Sequence, residues 1–176
     1  MKSVFEIQDL ILLRAKETGA ADPTIELKVN DDLRSMLLKA VIKNFPDLWR
    51  EKVITADFLK EHFSEKELSA AGIFLGGTHE TTVENITACG NAVVNGIGCL
   101  SSQCFGHSIV SCICGSHSAY EHSTIETISD SIIIAYDSAK VRTGLGNSVV
   151  YTYDHATLIS KCKTIEIRNG EFIIHN

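Results

Sequence analysis

Residues 137–161 read DSAKVRTGLGNSVVYTYDHATLISK, and a turn-forming pair (DS, GN or DH) precedes each short run of β-favouring residues. The stretch DSIIIAY, which begins at Asp130, adds the same kind of unit directly upstream. From residue 90 to residue 170, turn-type or small residues recur about every eight positions, with slips of a single residue. A short fixed period of this kind indicates a repeat architecture whose units stack on one another.

The length of the unit predicts how the chain is wound. About eight residues hold one extended segment and a tight corner, and such a unit has no partner for its apolar side unless units stack. Two units form one coil of about 16 residues, and successive coils lie about 4.8 Å apart, the spacing of neighbouring strands. The sequence therefore predicts a two-sheeted parallel β-solenoid of five to six coils.

The alternation of side chains along a strand predicts the core of this solenoid. Lys140 and Arg142 belong in solvent, so Ala139, Val141 and Thr143, which alternate with them, point inwards. The same alternation places further inward residues in two other units: Ser148, Val150, Thr152, Ser108, Val110 and Cys112.

The first part of the chain has a different pattern. Residues 1–74 show apolar positions at helical spacing and predict four short helices. Residues 78–176 carry the octads, so the fold class is α+β, with an N-terminal helical domain or cap followed by the solenoid. The tail CKTIEIRNGEFIIHN drifts out of register and is expected to be a terminal cap, since the ends of a solenoid must be covered.

Local signals predict where helices begin and end. Asn30 or Asp31 is expected to cap the second helix, and Pro46 is expected to end it. Gly72 suits the left-handed residue that follows a helix. Residues 24–29 (TIELKV) could form a brief strand instead.

Composition narrows the class of protein. The chain of 176 residues is 44% hydrophobic and 22% charged, with a net charge of −6. It shows no signal-peptide pattern and no apolar run that could span a membrane, which predicts a soluble, cytoplasmic protein without a membrane partner. The acidic balance argues against a nucleic-acid partner, because such proteins carry basic surfaces.

The six cysteines are expected to be small buried hydrophobes, because a reduced cytosolic setting disfavours disulfides. The spacing of Cys104, His107, Cys112 and Cys114 invites a metal interpretation. Alternation argues against it, since His107 falls at a corner and Cys112 points inwards. His117 is likewise expected near a corner. The sequence predicts no metal site and no cofactor.

No catalytic arrangement stands out, so the chain is expected not to be an enzyme. The best-known solenoid enzymes, the hexapeptide acyltransferases, have a six-residue unit, whereas this unit has about eight residues. His79, Glu80 and Glu84 would suit a metal only on a helix, and the Thr-Thr-Val run disfavours a helix. The competing hypothesis is an enzyme whose site lies where the helices meet the solenoid, around His79, Glu80 and His107.

Adjacent branched residues predict an interface. Neighbours in a strand face opposite ways, so one residue of each branched pair points outwards. A 16-residue coil stacks Val93 with Ile109 on one outer face and Ile133 with Val149 on the other. A monomer rarely exposes such ladders. The ladder packs against a second copy in a homodimer, against the N-terminal helices, or against another protein.

The octads also resemble a known pattern. DSAKVRTG, GNAVVNGI, GNSVVYTY and DHATLISK are similar to the tandem D-S-A-T-V-R-A-Y octads of uncharacterised bacterial and prophage proteins. There a leader resembling LKEHFSEKELSAAGIF often precedes the repeats, as residues 59–74 do here, and the resemblance covers residues 59–160. The resemblance implies a β-solenoid, but it identifies no functional residue in this sequence.

The expected function follows from the rigid solenoid and its outer ladders. It is a non-enzymatic interaction protein that presents a flat face to a protein partner. The resemblance implies a phage or mobile-element accessory role, such as an anti-defence (anti-CRISPR-like) inhibitor. Besides the enzyme hypothesis, a structural module that assembles end to end remains an alternative.

Overall fold

The computed structural model describes residues 2–21, 23–27 and 32–175, and the chain divides into two compact units between Ala71 and Gly72. Over its described residues the first unit has helices and no strand. Its five α-helices are α1 (Val4–Thr18), α2 (Leu33–Lys43), α3 (Phe45–Arg50), α4 (Ala56–His62) and α5 (Glu65–Ala70).

The helix count differs from the predicted four because of Pro46. This proline lies in the first turn of α3, where its missing N–H is not needed, so it starts a helix as well as separating it from α2. Asp32 caps α2, with its side chain accepting from the N–H groups of Arg34 and Ser35. The predicted caps, Asn30 and Asp31, lie outside the described residues.

The expected strand at residues 24–29 is absent from the part that the structure describes. Residues 24–27 have no regular structure, and residues 28–29 lie outside the description. Gly72 has a φ of +80°, the left-handed conformation predicted for the residue that follows α5.

The second unit is the predicted two-sheeted parallel β-solenoid, with about six coils. Successive strands alternate between two sheets, so the chain winds around one core. The eight-stranded sheet has the order β1 (Ile73–Phe74), β3 (Asn85–Ala88), β5 (Ser101–Cys104), β7 (Gly115–Ala119), β9 (Ser131–Ala135), β11 (Ser148–Thr152), β13 (Thr164–Arg168) and β14 (Glu171–His175). The six-stranded sheet has the order β12 (Thr157–Ser160), β10 (Lys140–Thr143), β8 (Thr124–Thr127), β6 (Ile109–Cys112), β4 (Val93–Gly96) and β2 (Thr78–Thr81).

The core between the sheets is the predicted one. Strand β10 has the burial pattern that alternation requires, with Val141 and Thr143 buried and Lys140 and Arg142 exposed. All nine residues predicted to point inwards are buried: Ala139, Val141, Thr143, Ser148, Val150, Thr152, Ser108, Val110 and Cys112.

The corners that lead from the eight-stranded to the six-stranded sheet after β3 explain the pairs DS at 137–138 and DH at 154–155. Each of these corners is a four-residue turn closed by a hydrogen bond from the N–H of its fourth residue to the carbonyl of its first. The second residue is left-handed in every case, as at Asp137 and Asp154, and aspartate tolerates this conformation better than bulkier side chains. The five corner turns comprise residues 89–92, 105–108, 120–123, 136–139 and 153–156.

Side chains at these corner turns tie successive coils together. Asp154 accepts a hydrogen bond of 3.3 Å from the N–H of Asp137, and Asp137 accepts one of 2.9 Å from the N–H of Glu121. At the first position of the turns, aromatic rings stack with centroids 4.8 to 5.2 Å apart. The stacked rings belong to Phe105, Tyr120, Tyr136 and Tyr153. The recurring Asp thus adopts the left-handed conformation of a corner turn and links the turn by a hydrogen bond to the neighbouring coil.

Coil length varies along the solenoid. In the registers of the sheets, Val93 lies beside Ile109, Ile109 beside Thr124, and Ile133 beside Val150. These coils therefore contain 16, 15 and 17 residues. Longer and shorter coils balance over the whole chain. The sequence therefore shows the mean period, although single coils depart from it by one residue.

The solenoid starts earlier than predicted, and its C-terminal end departs from the regular coils. The first strand, β1, begins at Ile73, before the predicted start at residue 78. At the other end β13 continues the parallel sheet, and β14 then turns back antiparallel to it through Asn169 and Gly170. Both turn residues have positive φ, as a tight hairpin requires.

Candidate functional site

The predicted ladder on the six-stranded sheet exists, but it is short. Val93 and Ile109 are neighbours in the sheet, and both point outwards; Val93 is exposed and Ile109 half-buried. The next positions in the same column are Thr124 and Lys140. Two apolar residues followed by a threonine and a charge do not form an extended apolar surface.

The predicted ladder on the eight-stranded sheet needs a correction. Ile133 is fully buried in the core, and its neighbour Ile132 points outwards beside Val149. The coil between them has 17 residues, so a strict 16-residue count chose the wrong member of the pair. A register change of one residue moves a side chain to the other face of the sheet.

With this correction a larger surface emerges on β9, β11, β13 and β14. Two columns of outward side chains cross these four strands, and sheet pairing places each beside the next. We call this surface the outer apolar face. Its first column is Ile132, Val149, Ile165 and Ile174, and its second is Ile134, Tyr151, Ile167 and Phe172.

The outer apolar face is accessible and carries no charge at its eight positions. Phe172 is 77% exposed, Ile174 63%, Ile132 53% and Ile165 38%. The columns end at β7, where the outward residues are Ser116 and Ser118. Half of the face lies in the C-terminal tail, which was predicted to drift out of the octad register. The signal that could have revealed it is Asn-Gly between two alternating apolar runs, the pattern of a hairpin.

A second candidate site lies inside the solenoid. One ligand atom each from Cys99, Cys112 and His117 lies within 4.8 Å of the other two, and all three residues are buried. Cys99 follows β4, Cys112 ends β6, and His117 points inwards from β7. We call these residues the thiol–imidazole cluster.

Hydrogen bonds orient the members of the cluster. The Nδ1 atom of His117 lies 2.9 Å from the Oγ atom of Ser102, which is also buried. The Nε2 atom of His117 is buried and makes no hydrogen bond of good geometry within the described ranges, while a looser backbone contact with Cys114 favours the protonated ring. The Sγ atom of Cys99 donates to the carbonyl of Ser101 at 3.1 Å.

Burial sets the ionisation of the cluster. It lowers the pKa of His117 to about 4, so the imidazole is neutral at physiological pH. A hydrogen bond between the two thiols lowers the pKa of Cys99 and raises that of Cys112, and burial further raises the latter. A neutral imidazole beside two thiols, one of them acidified, is a set of groups that binds metal ions or reacts with oxidants.

Sequence reasoning missed this cluster because it placed His117 near a corner. His117 instead lies in β7 and is only 1% exposed. The signal was available, since alternation in GSHSA places His117 and Ala119 on the same, inward side. Ser102, which lies beside His117 in the preceding coil, is the hydrogen-bond partner of the ring.

The cysteine spacing considered from the sequence does not form a site. His107 and Cys114 are exposed, whereas Cys104 and Cys112 point inwards, as predicted. Four of the six cysteines are buried, which confirms the prediction of core packing for Cys89, Cys99, Cys104 and Cys112.

The residues of the enzyme hypothesis lie in other settings. His79 and Glu80 are on β2, a strand, so the helical metal motif is wrong. The Nε2 atom of His79 lies 2.6 Å from the carbonyl oxygen of Gly76. His107, at a corner turn, stacks on His122 with ring centroids 5.2 Å apart.

A buried carboxylate closes the last coil. Glu166 points inwards from β13 and is fully buried. It accepts hydrogen bonds from Thr152 at 2.7 Å and from Arg168 at 2.9 Å, and the Nε2 atom of His175 lies 2.7 Å from it. Burial raises the pKa of Glu166, but these partners outweigh it, and the pKa lies below its usual value of 4.5.

This geometry predicts a pH-dependent contribution to stability. A lowered folded-state pKa stabilises the fold above pH 4.5, and this stabilisation is lost as the pH falls through the folded-state pKa. Glu166→Gln is expected to cost about 2 kcal/mol at neutral pH, because charged hydrogen bonds to Arg168 become neutral ones. Urea unfolding at neutral and acidic pH measures the free energy of unfolding of the wild type and of Glu166→Gln. The difference between the two proteins should be smaller at acidic pH. An equal deficit at both pH values would contradict the ionised state of Glu166.

Within the described ranges, no helix has the length and apolar character to cross a membrane. The longest helix, α1, has 15 residues. Comparison of the chain with family models, with curated proteins and with solved structures found no match.

Proposed function

We propose that this protein is a non-enzymatic interaction protein that self-associates through the outer apolar face. The observation that carries the proposal is the face itself, with two columns of four apolar side chains and no charge. Contiguous exposed apolar patches of this kind are typical of interaction sites. The positions are held by three ladders of backbone hydrogen bonds between the four strands, so little conformational entropy is lost on binding.

A second copy suits this face because the face is flat and uncharged. Branched side chains in parallel columns interdigitate with an identical surface, as the faces of two packed sheets do. A partner recognised by charge would find no complementary group among the eight side chains. Self-association of one patch with itself is also the geometry of a two-fold dimer.

The size of the face predicts a weak dimer. Four strands about 4.8 Å apart and about five residues long cover roughly 300 Å² of flat area per copy. A standard interface buries about 800 Å² per partner, and association itself costs several kcal/mol. The dimer should therefore form at micromolar or higher concentration, and it should dissociate on dilution.

The charge of the chain predicts how salt acts on the dimer. Each copy carries a net charge of −6, so two copies repel one another at low ionic strength. Salt screens this repulsion over about 10 Å at 0.1 M. Self-association should strengthen as salt is added, whereas an interface held by opposite charges would weaken.

End-to-end assembly receives less support. Strand β14 runs antiparallel along the free edge of β13, so no further parallel coil can add to β13. An anti-defence role rests on the sequence resemblance alone and stays a prediction. The uncharged apolar surface best supports a second copy of the chain as the partner.

The test is a matched pair of variants. Ile165→Lys places a charge in the middle of the outer apolar face, and a buried unpaired charge at an interface is strongly unfavourable. Ile159→Lys makes the same change on the outward side of the other sheet, where Ile159 is 51% exposed. Sedimentation equilibrium should show concentration-dependent dimers for the wild type and Ile159→Lys, and a monomer for Ile165→Lys.

Both variants should retain the far-ultraviolet circular dichroism of the wild type, because both positions point away from the core. A wild type that stays monomeric at every accessible concentration would overturn the proposal. If both substitutions weakened dimer formation equally, the outer apolar face would have no special role in self-association.

A further inference from the structure

We propose that Cys99, Cys112 and His117 form a buried site for one thiolate-seeking metal ion, with Cu⁺ preferred to Zn²⁺. Two sulfurs and an imidazole are the ligands that these ions favour. This inference concerns the interior of the solenoid and does not depend on the proposed self-association.

The distances in the thiol–imidazole cluster suit a metal ion. Bonds of about 2.3 Å to sulfur and about 2.0 Å to nitrogen place the ligand atoms of a metal site roughly 3.5 to 4 Å apart. The three ligand atoms of the cluster lie within 4.8 Å of one another before any ion is bound. A contraction of about 1 Å, within reach of side-chain rotation, completes the geometry.

His117 supplies the independent observation that points to a ligand. A buried polar atom without a partner is costly, and native structures rarely contain one without a reason. Among the described residues, Nε2 of His117 makes no hydrogen bond of good geometry and has only a loose backbone contact with Cys114, while Nδ1 is held by Ser102. In metal sites the histidine nitrogen that does not bind the metal donates its proton to a neighbouring group, and Ser102 is placed for that role.

Gly96 makes room for the cluster. It occupies an inward position at the end of β4, and its neighbour in β6 at the same position is Cys112. A Cβ there would lie 2.6 Å from Cδ1 of Ile86, 2.8 Å from the Cβ of Cys99 and 3.4 Å from the Sγ of Cys112. A side chain at this position would therefore crowd Ile86 and both cysteines of the cluster.

The number of ligands favours Cu⁺. Structural Zn²⁺ sites in proteins have four ligands, whereas soft thiolates suit Cu⁺ at lower coordination number. The cluster contains three groups in a buried setting. Binding releases the thiol protons to solvent, so the affinity rises with pH.

The first test measures binding by the full-length reduced protein. Cu⁺ and Zn²⁺ are offered separately, each against a chromophoric chelator of known affinity, and X-ray absorption is recorded on the complex. We expect one Cu⁺ per chain, bound by two sulfurs and one imidazole nitrogen. Stoichiometric binding of Zn²⁺ alone, in the same ligand environment, would retain the site but overturn the preference for Cu⁺.

Two variants with a matched control locate the site. Cys99→Ser removes a ligand and should abolish stoichiometric binding, whereas Cys104→Ser changes another fully buried core cysteine and should leave binding unchanged. Ser102→Ala retains all three ligands but loses the partner of Nδ1, and the affinity should fall about 10- to 100-fold.

Three results would overturn the proposal. They are an absence of binding of both ions, equal binding by Cys99→Ser and Cys104→Ser, and a disulfide between Cys99 and Cys112 in freshly purified protein. X-ray absorption on the wild-type complex identifies the ligands even if a serine variant fails to fold. A metal bound at exposed Cys114 or at Cys162 instead would show no imidazole ligand.

Discussion

Replacing Val141 with aspartate is expected to unfold the solenoid. Val141 is fully buried in β10, between the neighbouring core residues Ile125 and Leu158 in the sheet. The change loses the burial of a valine side chain, about 1.5 to 3 kcal/mol, and adds a carboxyl group without a partner, which costs several kcal/mol more. The sum approaches the whole stability of a typical domain, about 5 to 15 kcal/mol.

The control for this prediction is the adjacent residue. Lys140 is exposed on the other side of the same strand, so Lys140→Asp should change the free energy of unfolding by less than about 0.5 kcal/mol. Thermal unfolding followed by circular dichroism measures both variants. A cooperative transition of Val141→Asp near that of the wild type would show that Val141 is not in the core.

The second large effect is expected for Gly72→Ala. Gly72 has a φ of +80°, and a Cβ added there would overlap the backbone carbonyl oxygen of Asn85. The left-handed conformation alone costs a non-glycine residue about 1 to 2 kcal/mol. The overlap involves backbone, which cannot rotate away, so the two strands β1 and β3 must separate, and we expect a total loss of about 3 kcal/mol or more.

Gly170 provides the matched comparison. It lies in the hairpin between β13 and β14 with a φ of +89°, and a Cβ there would meet no atom within 4 Å. Gly170→Ala should therefore cost only the conformational part, about 1 kcal/mol. Urea unfolding of both variants separates the two contributions, and equal losses would contradict the close packing at Gly72.

The period and the alternation of the sequence were enough to predict the solenoid and its core. Corner residues such as Asp137 and Asp154 recur because a corner turn needs a left-handed residue, and the side chains of these two also bond to the preceding coil. Val141 lies between the exposed charges Lys140 and Arg142, so alternation places it inside, and the same alternation buries Val150 between the half-buried Val149 and Tyr151. These are local rules, and local rules can be read from one sequence.

The misplacement of Ile133 has a different origin. A coil may gain or lose a residue at a corner without any change in its strands, and each such slip reverses the face that a counted position occupies. Three identical residues, Ile132, Ile133 and Ile134, give no compositional sign of which one is inside. Only the register with β11 decides it.

The thiol–imidazole cluster was missed for a related reason. Cys99, Cys112 and His117 come from three successive segments and meet only because the coils stack. Their spacing in the sequence is not that of a known metal motif, so no local pattern predicts the cluster. The outer apolar face was missed for the same reason, since two of its four strands form a hairpin in the tail, where the octad register drifts.

Concentration-dependent footprinting of the unmodified protein tests the proposed interface most directly. Hydroxyl radicals modify exposed side chains, and Phe172, at 77% exposure, is the most exposed residue of the outer apolar face. Ile159, 51% exposed on the opposite sheet, reports on the remaining surface. We predict that the modification of Phe172 falls as the protein concentration rises to where dimers form, while that of Ile159 stays constant. If Phe172 stays fully reactive while the protein dimerises, or if Ile159 is protected in its place, the outer apolar face is not the interface.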